Sequence, residues 1–294
     1  MKETYPKPLV SVIVRTKDRP ELLKRALKSI ADQSYRPVEV VLVNDGVCEL
    51  DTEELRGILG DVVLEYLRHE DNRGRPVAGN TGLEHASGEY IAFLDDDDRY
   101  YENFISVLID VMFNGGAGLV YGKCDCFQYN GQGRERLLTL GKPFNIYELF
   151  YRNFIPINSI LTKKALLSDI GGFDSDFEIF EDWDLLFRLA LKNDFLFVEE
   201  VVSEYSIFGS ATVTYKGGHE YHKQYWDLFY KKHADFFGVD ALEHCVLRTM
   251  EEKSRSLLEE NKEVKRELSL IKDSKAWKLL RFYRKLKKIG SFMF

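Results

Sequence analysis

Cysteine is scarce in this chain. The four present, Cys48, Cys124, Cys126 and Cys245, form no CxxC pair and have no histidine at zinc spacing. That sets aside a disulfide framework and a zinc finger, and reduced thiols in a cytoplasmic protein are the simplest reading. Long apolar runs are missing too: no segment supplies the ~20 apolar residues that spanning a bilayer needs. The opening, Met1-Lys-Glu-Thr-Tyr-Pro-Lys-Pro8, lacks the cationic start and apolar core of a secretion signal, so a soluble or peripheral protein is expected. GxGxxG is absent, which argues against a dinucleotide fold of the usual kind. Nor is there an excess of cations: a net charge of −7 argues against the whole chain as a nucleic-acid binder.

What the chain does have is an alternating rhythm. Leu9 to Val14 is an apolar strand that breaks at Arg15-Thr-Lys-Asp-Arg-Pro20. A helix follows, with Pro20 near its first position and Leu22, Leu23, Ala26, Leu27 and Ile30 on one face. Val38 to Val43 and Val62 to Leu67 read as strands around a short helix from Glu53 to Leu59. A loop, Asn72 to Asn80, runs into a helix through about Ala86, and Tyr90 to Leu94 is a further strand. The expectation is α/β, with a mostly parallel sheet flanked by helices. Beyond Tyr101, helices are expected over Phe104–Met112 and Tyr147–Asn153, and a strand over Gly118–Tyr129 leading to the turn Asn130-Gly131. Strands are expected from Phe195 to Ile207 and helix from Glu220 onward.

Four aspartates, Asp95 to Asp98, follow directly on the Tyr90–Leu94 strand. Like charges packed at a strand end repel, and neither a turn nor a cap requires them. A divalent cation would remove that repulsion, and carboxylate oxygens suit Mg²⁺ or Mn²⁺. Ligands of open α/β sheets gather beyond the carboxyl ends of strands, where this cluster falls. The plain alternative is a solvated acidic turn. At the same edge, Asp45 in Val43-Asn-Asp-Gly46 can accept from a base imide N–H, and Arg15, Lys17 and Arg19 supply cations.

These segments resemble the family-2 glycosyltransferases, enzymes with the GT-A fold. Val10 to Pro20 is similar to the family's first strand and nucleotide loop, and Glu39 to Gly46 to its second strand. Asn72-x-Gly74-x-x-x-Ala78-x-Asn80-x-Gly82 resembles the loop beside the diphosphate, and Leu94 to Asp98 the metal-binding DxD region. Gly171-Gly172-Phe-Asp174 followed by Glu181-Asp182-Trp183-Asp resembles the acceptor-side segment carrying the catalytic base. The motifs run in family order over about residues 9 to 215.

The resemblance implies transfer of a sugar, with inversion, from a nucleoside-diphosphate donor (UDP or dTDP) to a saccharide or lipid-linked acceptor in cell-surface polysaccharide synthesis. It implies donor binding by Arg15, Thr16, Arg19, Asp45, Asn72, Gly74, Asn80, Asp95 and Asp96. It further implies Mn²⁺ or Mg²⁺ on Asp97 and Asp95, Asp182 as base with Glu181 as the alternative, and Gly172 and Trp183 on the acceptor side. Trp183 also reads as a core residue. One departure stands out: where many relatives carry a histidine after the last core strand, this chain has Phe208. The rival reading is an inactive sugar-nucleotide-binding scaffold, against which Asp95, Asp97 and Asp182 argue.

The catalytic domain is expected over residues 1–240 and a helical tail over 241–294. In the tail, Leu247, Met250, Leu257, Val264, Leu268 and Ile271, with Ser254 and Asn261 between them, alternate spacings of three and four. That is a heptad seam, which can pair with another chain as a homo-oligomer or pack back on the domain. Between Lys272 and Lys288 the local charge is +7, with Trp277, Leu280, Tyr283 and Leu286 interspersed. Such a helix suits an anionic surface, peripheral on the inner face of the cell membrane, or else docks its aromatics on the domain.

Overall fold

The computed structural model describes residues 7–130, 133–208, 218–236 and 238–273. The basic tail after Asp273 lies outside the described residues. The chain divides into two units, Met1–Phe236 and Phe237–Phe294.

The first unit opens with β1 (Val10–Thr16), α1 (Pro20–Ala31), β2 (Val38–Asn44), α2 (Thr52–Leu59), β3 (Val63–Arg68), α3 (Arg75–His85) and β4 (Tyr90–Asp95). Next come β5 (Arg99–Tyr100), α4 (Phe104–Gly115), β6 (Leu119–Asn130), β7 (Gly133–Leu140) and α5 (Ile146–Tyr151). The unit closes with β8 (Ile160–Lys163), α6 (Lys164–Asp169), α7 (Glu181–Ala190), β9 (Phe195–Phe208) and α8 (Gly218–Lys232). Among the described residues the sheet runs β3-β2-β1-β4-β8-β6-β9-β5, with β7 paired to β6.

The first four positions in that order are parallel, as the β-α rhythm requires. The second half is mixed: β8 is antiparallel to both neighbours, while β6 and β9 run parallel. Strands β1, β2 and β4 read as near-continuous apolar runs because both of their faces are covered. On one face Val10, Val12, Val14, Val40, Leu42, Ala92 and Leu94 pack with Leu23, Leu27, Ile30, Leu55, Phe104 and Leu108 from the helices. Each fully buried side chain of this size contributes roughly 1.5–3 kcal/mol. The opposite face receives α3 at close range. A Cβ on Gly82 would stand 2.4 Å from Ile13, and one on Gly79 would meet Phe173 at 2.6 Å. Small residues there let a helix lie flat on the sheet, which a larger side chain would lift away.

Strand β7 and the C-terminal helix are among the elements that differ from the sequence expectation. Strand β7 was not expected, because its residues, leucines included, are almost all exposed, so burial leaves no alternation to read. The helix expected from Glu220 onward is two helices, α8 and α9 (Val239–Asp273), separated by a 3₁₀ turn at Ala234–Phe236. Among the described residues no helix is long and apolar enough to cross a membrane.

Candidate active site

Parallel pairing brings the carboxyl ends of β1, β2 and β4 to one edge. Arg15 lies in register beside Asp95, and Thr16 beside Asn44. The four aspartates do not converge there, which corrects the expectation. A turn after β4, closed by the Asp98 N–H donating to the Asp95 carbonyl (3.1 Å), fans the side chains toward separate partners. Asp95 faces Arg15 (Nε 2.9 Å) and Arg75 (Nη2 3.2 Å). Asp96 accepts from the Thr16 hydroxyl (2.7 Å) and Arg19 Nε (3.2 Å). Asp97 pairs with Arg19 Nη1 (2.5 Å). Asp98 points inward, accepting from the Ser206 N–H (2.9 Å) and the Asn158 amide (2.8 Å).

The electrostatics follow. Burial alone would raise the Asp95 carboxyl, but the Arg15 and Arg75 guanidiniums outweigh it and hold it at about 2. For Asp96 burial wins over Arg19, and the carboxyl is pushed up to about 7. Asp97 and Asp98 are raised as well, by burial and by neighbouring carboxylates. Burial thus sets Asp96, Asp97 and Asp98 apart from Asp95, whose charge the guanidiniums hold. Arg15, expected to meet phosphate, is buried and committed to Asp95 and Glu181 instead. Arg19, 43% exposed, and Lys17 are the open cations of the loop.

Asp45 sits at the end of β2 beneath the next loop. It accepts from His69 Nδ1 (2.7 Å), the Arg73 N–H (2.7 Å) and the Gly74 N–H (2.8 Å). The Asn72 amide, turned with its nitrogen toward Asp45, adds a contact of 2.7 Å and sets its oxygen 3.1 Å from Lys17 Nζ. Asp45, Asn72 and Gly74 are thus brought together, but as partners of one another. His69 and Arg75 were missed in the sequence. A lone histidine and an arginine inside a glycine-rich loop carry no spacing signal of their own.

The Glu181-Asp182 pair opens α7 beside this edge. Glu181 is fully buried between Arg15 Nη1 and Arg75 Nε, both at 3.1 Å. Asp182 receives the Asn153 amide (3.1 Å) and the N–H of its neighbour Trp183 (2.8 Å), and has no ion pair among the described residues. Burial and the adjacent Glu181 carboxylate push Asp182 up to about 6, against the pull of Arg75. A carboxyl near that value accepts a proton at neutral pH and can release it again.

Trp183 takes the core role that the sequence also offered, and Asn80 and Gly172 make structural contacts. Trp183 is sealed in the core, its indole N–H donating to the Leu149 carbonyl (2.6 Å) and its ring stacked on Phe229. Asn80 is a brace rather than a donor contact: its amide both donates to and accepts from the Phe173 backbone at 2.8 Å. Gly172 belongs to that brace. Its φ is +70°, and a Cβ there would stand 2.4 Å from Asn80 Oδ1. The aromatic surface near Asp182 comes instead from Phe180, the residue before Glu181, and Trp226 of α8. Their rings lie near-parallel 6.1 Å apart, and Trp226 is 40% exposed. Phe180 holds a left-handed conformation (φ +65°), an arrangement that clusters at functional sites. Phe208 stacks on Tyr129, and both rings flank the Arg25 guanidinium, which also donates to the Asp97 carbonyl.

Residues 11–183 match the model of glycosyl transferase family 2. The chain belongs to that family. Among the relatives of this family-2 glycosyltransferase is a Campylobacter jejuni protein named GalNAc(5)-diNAcBac-PP-undecaprenol beta-1,3-glucosyltransferase. It is 28% identical over 217 residues, covering 70% of this chain and 67% of the relative. An uncharacterised glycosyltransferase of Rickettsia typhi is 28% identical over 246 residues, covering 79% of this chain and 74% of its own length. Another, from Rickettsia bellii, is far longer: the chain spans 27% of it. Two solved structures share the fold. Residues 1–349 of Staphylococcus aureus TarS with UDP-GlcNAc superpose with a TM-score of 0.56 at 18% identity, over 81% of this chain and 78% of that one. The mannosyltransferase PcManGT of Pyrobaculum calidifontis with GDP-Man and Mn²⁺ gives 0.56 at 17% identity, over 94% and 84%.

Proposed function

We propose that this chain transfers a sugar from a nucleoside-diphosphate sugar to a hydroxyl of a saccharide or lipid-linked acceptor, with inversion, in cell-surface polysaccharide synthesis. One observation carries the proposal: Asp182, raised to about 6 and held by amide partners, beside an acidic strand edge in a family-2 chain. Asp182 takes the proton of the acceptor hydroxyl as its oxygen attacks the anomeric carbon, and the bond to the diphosphate breaks on the opposite face. Glu181, locked between two guanidiniums, fixes the floor on which Asp182 stands. Arg19 serves the diphosphate, and Asp45 serves the base once it exchanges one of its loop partners. Phe180 and Trp226 present an apolar surface for an acceptor sugar.

Among the described residues no three carboxylate, histidine or cysteine groups converge to cage a metal. Mg²⁺ and Mn²⁺ sites at phosphates commonly use one or two carboxylates plus the substrate oxygens, and Asp96 and Asp97, which share Arg19, suit that arrangement. Asp97, the more open of the two, is the ligand assigned, and Asp95 is held instead by its arginines. A cation there would neutralise charge on the departing diphosphate. The lipid-linked acceptor class is supported by the name of the Campylobacter relative.

A thermal-shift screen of UDP-, dTDP- and GDP-sugars, each with and without Mn²⁺, tests the donor. A donor at one hundred times its Kd stabilises by ~2.7 kcal/mol, a shift of several degrees. If no nucleotide sugar shifts the transition, the donor reading fails. If one does but no nucleoside diphosphate is released with any acceptor, the scaffold reading holds.

A further inference from the structure

Helix α9 runs from Val239 to Asp273, and every described side chain from Glu251 to Arg266 is exposed. An isolated helix gains little stability in water, and most helical stability comes from packing an apolar face. Such a face exists here and is open. Leu247, Met250, Leu257 and Val264 fall at heptad spacing, and each is more than half exposed. In heptad notation position a holds Leu247, Ser254, Asn261 and, by sequence, Leu268; position d holds Met250, Leu257, Val264 and, by sequence, Ile271.

We propose that α9 forms a parallel, in-register, two-stranded coiled coil with a second copy of this chain. Two features of the pattern choose that occupant and that orientation. The first is Asn261. In a parallel pair, a faces a, so Asn261 meets the partner's Asn261 and the two amides satisfy each other. In an antiparallel pair, a faces d, and the amide would be buried against Met, Leu or Val with no partner. A lone asparagine at a specifies register and a two-stranded state at some cost in stability. The second feature is charge at the flanking positions. Position g of one helix meets e of the next heptad on its partner. Glu260 then faces Lys265 of the second copy, and by sequence Glu267 faces Lys272. The remaining two meetings, Val246 with Glu251 and Lys253 with Leu258, set no like charges together. A self-complementary seam of this kind suits a C₂ pair of identical helices. From Leu247 to Ile271 it would run for roughly 36 Å.

The full chain tests this. Light scattering on a sizing column at tens of micromolar should report twice the 34.2 kDa chain mass. The double substitution Leu257→Asp, Val264→Asp should return the chain mass, because both positions are exposed in a single chain and buried only in the pair. Circular dichroism should then lose helix signal while the thermal transition of the first unit stays in place. Leu247→Cys, at one end of the seam, should form a disulfide-linked dimer on oxidation beyond the wild-type background. In an antiparallel pair those two sulfurs would lie tens of ångströms apart. The proposal is overturned by a wild-type monomer, by a dimer that survives both aspartates, or by a dimer in which Leu247→Cys fails to cross-link.

Discussion

Replacing Asp182 by Asn and, separately, Glu181 by Gln separates two neighbouring carboxylates with different expected duties. Asn keeps the size of Asp182 and can accept from either the Asn153 amide or the Trp183 N–H, but it cannot take a proton. Loss of a general base lowers turnover by ~10²–10⁴, equivalent to roughly 3–5 kcal/mol of barrier at 1.36 kcal/mol per decade. No ion pair is broken, so the melting temperature should hold. Glu181→Gln acts differently, because Arg15 and Arg75 both lean on that carboxylate. Removing one partner of a buried pair costs ~3–5 kcal/mol. The low end applies here, since Arg75 remains 37% exposed and Asp95 still faces both guanidiniums. At roughly 2–4 °C per kcal/mol the transition should fall by about 6–12 °C. The assay is release of nucleoside diphosphate from the donor found by thermal shift, alongside a melting curve for each variant. The wild-type rate should also climb with pH through about 6, because the base works only when deprotonated and burial with Glu181 has raised its carboxyl to that value. If Glu181→Gln melts normally and abolishes turnover while Asp182→Asn keeps it, the assignment of the base is reversed.

Three further outcomes are expected. Calorimetry with UDP or dTDP should show tighter binding in Mn²⁺ or Mg²⁺, and Asp97→Ala should erase most of that gain; affinity indifferent to EDTA would sink the metal reading. Trp226→Ala should raise the acceptor KM ~2–10-fold, the size of an aromatic packing contribution of about 0.5–1.5 kcal/mol, with donor affinity unchanged. An unaltered acceptor KM removes Trp226 from the acceptor side. A chain ending at Ile271 should keep donor binding and lose sedimentation with anionic liposomes at low salt, since each basic residue near such a surface contributes ~1 kcal/mol. Full-length protein that ignores those liposomes would make the tail something other than a membrane contact.

Much of this protein is dictated locally and is therefore legible in the chain itself. Buried parallel strands must be apolar throughout, so β1, β2 and β4 announce themselves, and a βαβ rhythm with short loops brings their carboxyl ends to one edge. That is enough to put Arg15, Thr16, Asp45 and Asp95 on the same rim. The heptad seam is equally local, because spacing along one helix sets which residues share a face. What each rim residue does was decided by contacts between distant parts of the chain. Glu181 lies far along the sequence from Arg15 and Arg75, and only the fold binds it between them, leaving its neighbour Asp182 to amide partners. Trp183 and Trp226 are chemically the same, yet Leu149 and Phe229 bury the first while α8 leaves the second open. Strand β7 needs β6 to exist at all, since its exposed residues carry no pattern of burial. Periodicity and residue type report on the local backbone and on which face is apolar. Desolvation and charge pairing depend on neighbours that only tertiary packing supplies.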